Sequence, residues 1–142
     1  MNSSFTEAEL IITSSYCAII HAILAECKGL SINKILPFAY LIRNTPNDSD
    51  MIYDKRSIKD CVLKSLSLLG GHFNEYQKDI MRILQAIDIL INANRIKCVN
   101  DSLYLVEKPK TNYRINPYFK VSINESKQMS ERQFLREVIR NV

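Results

Sequence analysis

Glycine and proline are scarce in this chain, three and four in 142 residues, which excludes collagen-like, linker-rich and low-complexity architectures. The three glycines, Gly29, Gly70 and Gly71, do not form G-x-x-x-x-G-K-[ST] or G-x-G-x-x-G, so nucleotide cradles of those types are excluded. No G-x-S-x-G is present either. Only two histidines occur, His21 and His72, and the four cysteines, Cys17, Cys27, Cys61 and Cys98, include no C-x-x-C pair. Paired ligand motifs are the usual mark of a zinc site. Cys17 and His21 lie one helical turn apart and leave a site with Cys61 conceivable. The alternative is that each cysteine is a small apolar core residue in a reducing cytosol. A Cys17–His21 nucleophile pair lacks an orienting acid, and His72 reads as a turn residue. The chain is therefore expected to be non-enzymatic, with no metal or cofactor. No secretory signal is visible. The apolar stretch from Tyr16 to Cys27 is short for a bilayer and carries His21 and Glu26, so a cytoplasmic protein without membrane contact is expected.

What the sequence does have is hydrophobic pattern, 46% of its residues, on a mild net charge of +4. The organising stretch is Phe73 to Glu107. Ile80, Ile83, Leu84, Ile87, Leu90 and Ile91 recur at three- and four-residue steps and predict one long amphipathic helix, capped by Asn74 with Gln77 as reciprocal partner. Ile96 to Val99 and Leu103 to Val106 flank Asn100-Asp101, two residues that tolerate positive φ, and predict a hairpin.

Upstream, Glu7 to Ile12 reads as a helix turn, or an extended piece, that runs on or breaks near Thr13-Ser14-Ser15; the main helix is expected from about Tyr16 to Lys28, capped by Ser14 or Ser15 and stopped by Gly29. Met1 to Thr6 reads as a frayed lead-in. Ser31 opens a second apolar segment, Ile32 to Ile42, in which Pro37 predicts a kink or a division into two pieces. That segment is apolar nearly all round, so its outer side faces either the core or a partner. Asn44 to Asp54 reads as a polar loop without the glycine and glutamate of a calcium loop. Ser57 to Leu69 predicts a third helix, ended by Gly70-Gly71.

The fold class read from this order is mostly α. It comprises a winged-helix-like domain over residues 1–107, with a β-hairpin wing, and a basic C-terminal docking arm over 108–142. Helices over 57–69 and 74–94 are the expected second and third members of the winged core. In the arm, Tyr113 to Ile123 suggests a docking segment, and Ser130 caps a last helix with an apolar stripe of Phe134, Leu135, Val138 and Ile139. Eight lysines or arginines face three glutamates from Lys108 onward, so the chain's basic excess belongs to this segment.

Two sets of residues are candidates for binding. Phe38, Tyr40, Tyr113, Tyr118 and Phe119 are the aromatic candidates for a protein partner. Arg95 and Lys97 on the wing, with Arg132, Arg136 and Arg140 at four-residue steps, are candidates for nucleic acid or an acidic partner. The outer face of the long helix interleaves acids (Glu75, Asp79, Asp88) with Lys78 and Arg82, a weak footprint for DNA.

The segment order resembles a known family. Ser15-Tyr16-Cys17-Ala18-Ile19-Ile20-His21, then Lys28-Gly29, Ile35-Leu36-Pro37-Phe38-Ala39-Tyr40-Leu41-Ile42, and the long helix leading to Ile96-Lys97 and Leu103-Tyr104-Leu105 are similar to the middle component of bacterial three-component ABC systems. The Lamassu anti-phage defence complex is a setting of that family. The resemblance spans roughly Ser14 to Val106. It implies a non-catalytic subunit that bridges an SMC-like ATPase to an effector, commonly a nuclease, with DNA contact made through the complex. The alternative is a winged-helix transcriptional regulator that binds DNA itself.

Overall fold

The computed structural model describes residues 6–45, 61–109 and 113–141. Among them are six helices and one small antiparallel sheet. The expected loop and the cap at Ser57 fall largely or wholly outside the described residues, as does the expected lead-in except for Thr6, which is ordered as a helix cap and not frayed.

Helix α1 (Glu7–Cys27) is continuous: the early turn from Glu7 runs on through Thr13-Ser14-Ser15 into the main helix, so neither Ser14 nor Ser15 is a cap. Thr6 is the cap, its Oγ1 accepting from Glu9 N at 3.1 Å. Glu7 and Glu9 sit at the positive end of the helix, where carboxylates are stabilised. Ser15 does not interrupt, because its hydroxyl donates back to Ile12 O at 2.7 Å inside the helix. At the other end Lys28, not Gly29, takes the left-handed cap conformation (φ 64°). Gly29 serves a different purpose: a Cβ there would lie 2.7 Å from the Tyr104 ring.

Strand β1 (Leu30–Ser31) was not legible; two residues cannot show alternation. Helix α2 (Ile32–Asn44) follows with Ser31 at its cap position, but the Ser31 side chain makes no capping bond. Pro37 lies inside α2, which is one helix and not two pieces. The missing amide leaves only the carbonyl of Asn33 without its helix partner, and Asn33 is exposed to water. After α3 (Cys61–Ser67) the chain turns through Gly71 (φ 83°) into α4 (Phe73–Asn92). No side chain caps α4, and Asn74 lies within its first turn, correcting the expected capping box.

The hairpin is as the pattern predicts. Strands β2 (Ile96–Val99) and β3 (Ser102–Leu105) pair Ile96 with Leu105 and Val99 with Ser102. Asn100 (φ 51°) and Asp101 (φ 63°) form the two-residue turn, whose left-handed pair suits the twist of the flanking strands. Strand β1 adds to β3, giving the order β1-β3-β2. Helix α5 (Pro117–Ser126) begins with Asn116 Oδ1 accepting from Tyr118 N at 2.9 Å and proline at its first position. Helix α6 (Glu131–Asn141) is capped by Ser130 in a box with Gln133, both bonds 3.1 Å.

The core is one cluster centred on α1, which touches α2, α4, α5 and β3. Two expectations are corrected here. The helix that completes a three-helix core with α1 and α4 is α2; α3 packs instead on α5 and α6. The C-terminal segment is not an appended arm, because Phe119, Ile123 and Phe134 are buried in the same core and Phe38 meets Phe134 at 5.8 Å. The predicted stripe of α4 faces inward at Ile80, Ile83, Ile87, Leu90 and Ile91, while Leu84 is exposed and Tyr76, Asp79 and Ala86 join the buried side.

Gly29→Ala is expected to lower stability by about 1–3 kcal/mol through overpacking against Tyr104. Urea denaturation of the single variant and of Gly29→Ala with Tyr104→Ala checks this; the second change should restore part of the loss.

Candidate functional site

The most polar buried spot lies where α1, α2 and the first half of α4 meet. Asp79 is on the inner side of α4 and only 8% exposed. A buried carboxylate is costly unless its oxygens are paired. Both are. Tyr16 Oη donates to Oδ2 at 2.5 Å and Arg82 Nη1 donates to Oδ1 at 2.7 Å. Asn44 Nδ2 donates to Tyr16 Oη at 3.2 Å and to Tyr40 O at 2.8 Å. Arg43 lies over the Tyr16 ring, 5.5 Å from its centre, and its Nε donates to Ser15 Oγ at 2.7 Å. Burial, then the neighbouring Asp79 carboxylate, pushes the Tyr16 hydroxyl far above the ordinary tyrosine range. Tyr16 therefore keeps its proton and acts as a donor, not a base. The group is a brace joining three helices.

A cavity of about 450 Å³ adjoins this brace, lined by Tyr40, Arg43, His72, Glu75, Lys78 and Arg82 among others. Tyr40 Oη and His72 Nδ1 are 3.3 Å apart. Its charges are of both signs.

The aromatic candidates are mostly inside. Phe38 and Tyr40 face the chain's own core, at 0% and 2% exposure, and Tyr118 and Phe119 are buried with their rings 5.7 Å apart. Tyr40 meets the Tyr76 ring edge-on. An all-round apolar α2 is accounted for by α1 and α4 on one side and α6 on the other, so these four side chains are not available to a partner as they stand. Tyr113 alone of the five is exposed.

The basic candidates are at the surface. Lys97, Arg132, Arg136 and Arg140 are exposed, and Arg95 is half-buried, its carbonyl accepting from Val106 N and Glu107 N. They lie on different elements: the β2–β3 hairpin packs on α1 and α4, and α6 packs on α2 and α3. Arg140 lies 3.7 Å from Glu137.

The pattern missed the exposed apolar side of α4. Phe73, Met81 and Leu84 share one side of the helix and are all well exposed, Met81 at 62%. Gln77 and Asp88 lie on the same side. The available signal was the apolar residues left over once the inner stripe is set at Tyr76, Ile83, Ala86 and Leu90.

Among the described residues no three His, Cys, Asp or Glu side chains come together as a metal site. Cys17 Sγ donates to Ala86 O at 3.7 Å, and the ring of His21 donates from Nε2 to Glu107 O at 2.6 Å, so both serve packing between α1, α4 and the end of the hairpin. Burial raises the thiol pKa of Cys17 and of Cys27. Comparison of the chain with family models, curated proteins and solved structures finds no match.

Two outcomes follow for the brace. Tyr16→Phe should cost about 1.5–3 kcal/mol, the worth of a hydrogen bond to a charged group. Stability should also be level through neutral pH and fall as pH rises above about 10, where unfolded tyrosines ionise while Tyr16 and Tyr76 hold their protons in the fold. Urea titrations at several alkaline pH values check both, and the variant should show the shallower fall.

Proposed function

We propose that this chain is a non-catalytic bridging subunit built on a winged-helix-like core, and that it docks a partner protein through the outer side of α4. The element order α1-β1-α2-α4-β2-β3 and the sheet order β1-β3-β2 support the winged-helix reading, with residues 45–72 as an insertion between the second and third core helices. A winged helix that reads DNA presents Arg, Lys, Asn or Gln from its third helix to base edges. Here the outer side carries Phe73, Met81 and Leu84 among Gln77, Lys78 and Asp88, so apolar residues and an acid interrupt the polar and basic ones where phosphates would lie. This single observation carries the proposal. Exposed apolar groups that share a side and are flanked by polar residues suit a protein partner.

The resemblance to the middle component of three-component ABC systems supplies the identity of the partners. On this reading an SMC-like ATPase and a nuclease effector hold the ATP and cleavage chemistry, in the cytoplasm, as in a Lamassu-type anti-phage complex. DNA is then met through the complex.

A second reading keeps the chain as a DNA-binding regulator. It draws on the exposed Lys97 of the wing and the exposed row Arg132, Arg136 and Arg140.

Affinity capture from cells that express the chain with its neighbouring gene products separates the two. The docking proposal expects an ATPase to be captured. Met81→Glu with Leu84→Glu should weaken capture by at least about 2 kcal/mol, the scale of an interface hot spot, with the melting temperature unchanged. Retained capture by that variant contradicts the proposal. So does sequence-selective DNA binding by the isolated chain with a steep salt dependence.

A further inference from the structure

We infer that the cavity between the start of α2 and the α5–α6 turn is an oxyanion site that takes a phosphate group. The cavity holds about 260 Å³ and includes Lys28, Lys34 and Lys127 in its wall, with one carboxylate, Glu131. The three lysines come from three separate segments: the cap of α1, the first turn of α2 and the residue after α5. Far-apart sequence positions are thus folded into one cationic wall.

Lys34 is only 5% exposed. Its ammonium donates to Met129 O at 2.7 Å and lies 3.4 Å from Glu131 Oε2. Lys127 donates to Cys27 O at 2.5 Å. An ammonium has three donors, so these bonds position the cations without exhausting them. Three positive charges against one negative leave the cavity with an excess that an anion would offset.

The backbone adds donors. Ile32 N is taken by Asp101 O at 3.0 Å. Further into the 13-residue helix α2, Lys34 lines the cavity and its amide receives no side-chain cap. Ser31 Oγ, which would ordinarily accept from it, is buried and has no hydrogen-bond partner. A helix start alone would be filled by water; here it opens beside a buried lysine and two more cations. Donors arriving from several directions suit a tetrahedral oxyanion better than a planar carboxylate. The volume exceeds that of a bare phosphate, so an ester substituent fits. Free phosphate, a nucleotide and a nucleic-acid backbone share this chemistry.

The test is an amide-resolved NMR titration of the full ¹⁵N-labelled chain with sodium phosphate, and separately with ATP and a short DNA duplex, each against sodium chloride at matched ionic strength. Saturable shifts of the Asn33 and Lys34 amides with phosphate, absent with chloride, are expected. Lys28→Gln with Lys127→Gln should weaken binding at least about tenfold, from the loss of charge-assisted bonds, while amides of the first half of α1, far from Cys27 and Lys28, hold their positions. Should that pair fail to fold, the exposed Lys28→Gln alone must still weaken binding measurably. Tighter binding of ATP assigns the site to nucleotides, and tighter binding of the duplex assigns it to nucleic acid. Shifts that chloride reproduces, or affinity that the lysine variants leave unchanged, overturn the inference.

Discussion

Everything in this fold depends on the burial of α1. Tyr16, Ile19, Ile20, Ile23 and Leu24 are completely excluded from water, and α2, α4, α5 and β3 all pack on them. Each large side chain so buried is worth about 1.5–3 kcal/mol relative to exposure. Its pairing with α4 is the most extensive between any two elements of the described residues. By length and composition α1 is apolar enough to cross a membrane, with a mean hydropathy of 1.7 over its best window. Its inner residues are, however, the centre of the core, and the Asp79 carboxylate bonded to Tyr16 fixes how α4 sits against it.

That arrangement separates what the fold explains from what it leaves over. The aromatic residues of α2 and α5 are consumed by packing: Phe38 by Phe134, Tyr40 by Tyr76, Tyr118 by Phe119. Asp79 and His21 are consumed by hydrogen bonds that join elements distant in sequence. Phe73, Met81 and Leu84 on α4 have no such account within the chain, nor does the lysine-lined cavity at the start of α2. Function is sought in these leftovers because folding alone does not require them.

Local signals in the sequence carried well. Asn100-Asp101 between two β-prone runs marked the hairpin because two left-handed residues in succession are rare outside such turns. Ser130 with Gln133 marked the start of α6 through a cap that needs no tertiary partner. Apart from the local cap signals at Asn74 and Gly29, the failures involve distance. Strand β1 exists only because Leu30 and Ser31 find β3 some seventy residues on. Leu84 alone of the predicted α4 stripe proved exposed, because it suits an inner stripe as well as Ala86 does until α1 is in place. Asp79 looked like an exposed acid because its partner Tyr16 is 63 residues away. The aromatic candidates were read as available because a helix apolar all round does not say what covers it; α6 does.

Native-state hydrogen exchange tests the claim that one unit is built around α1. Amides of Ile19 to Leu24 and of Phe119 to Ile123 share that core, and the account predicts that both sets exchange only through global unfolding, with the same free energy and the same denaturant dependence. Exchange of the α5 amides at a distinctly lower free energy, with α1 still protected, would mean that the C-terminal helices open on their own and would contradict it.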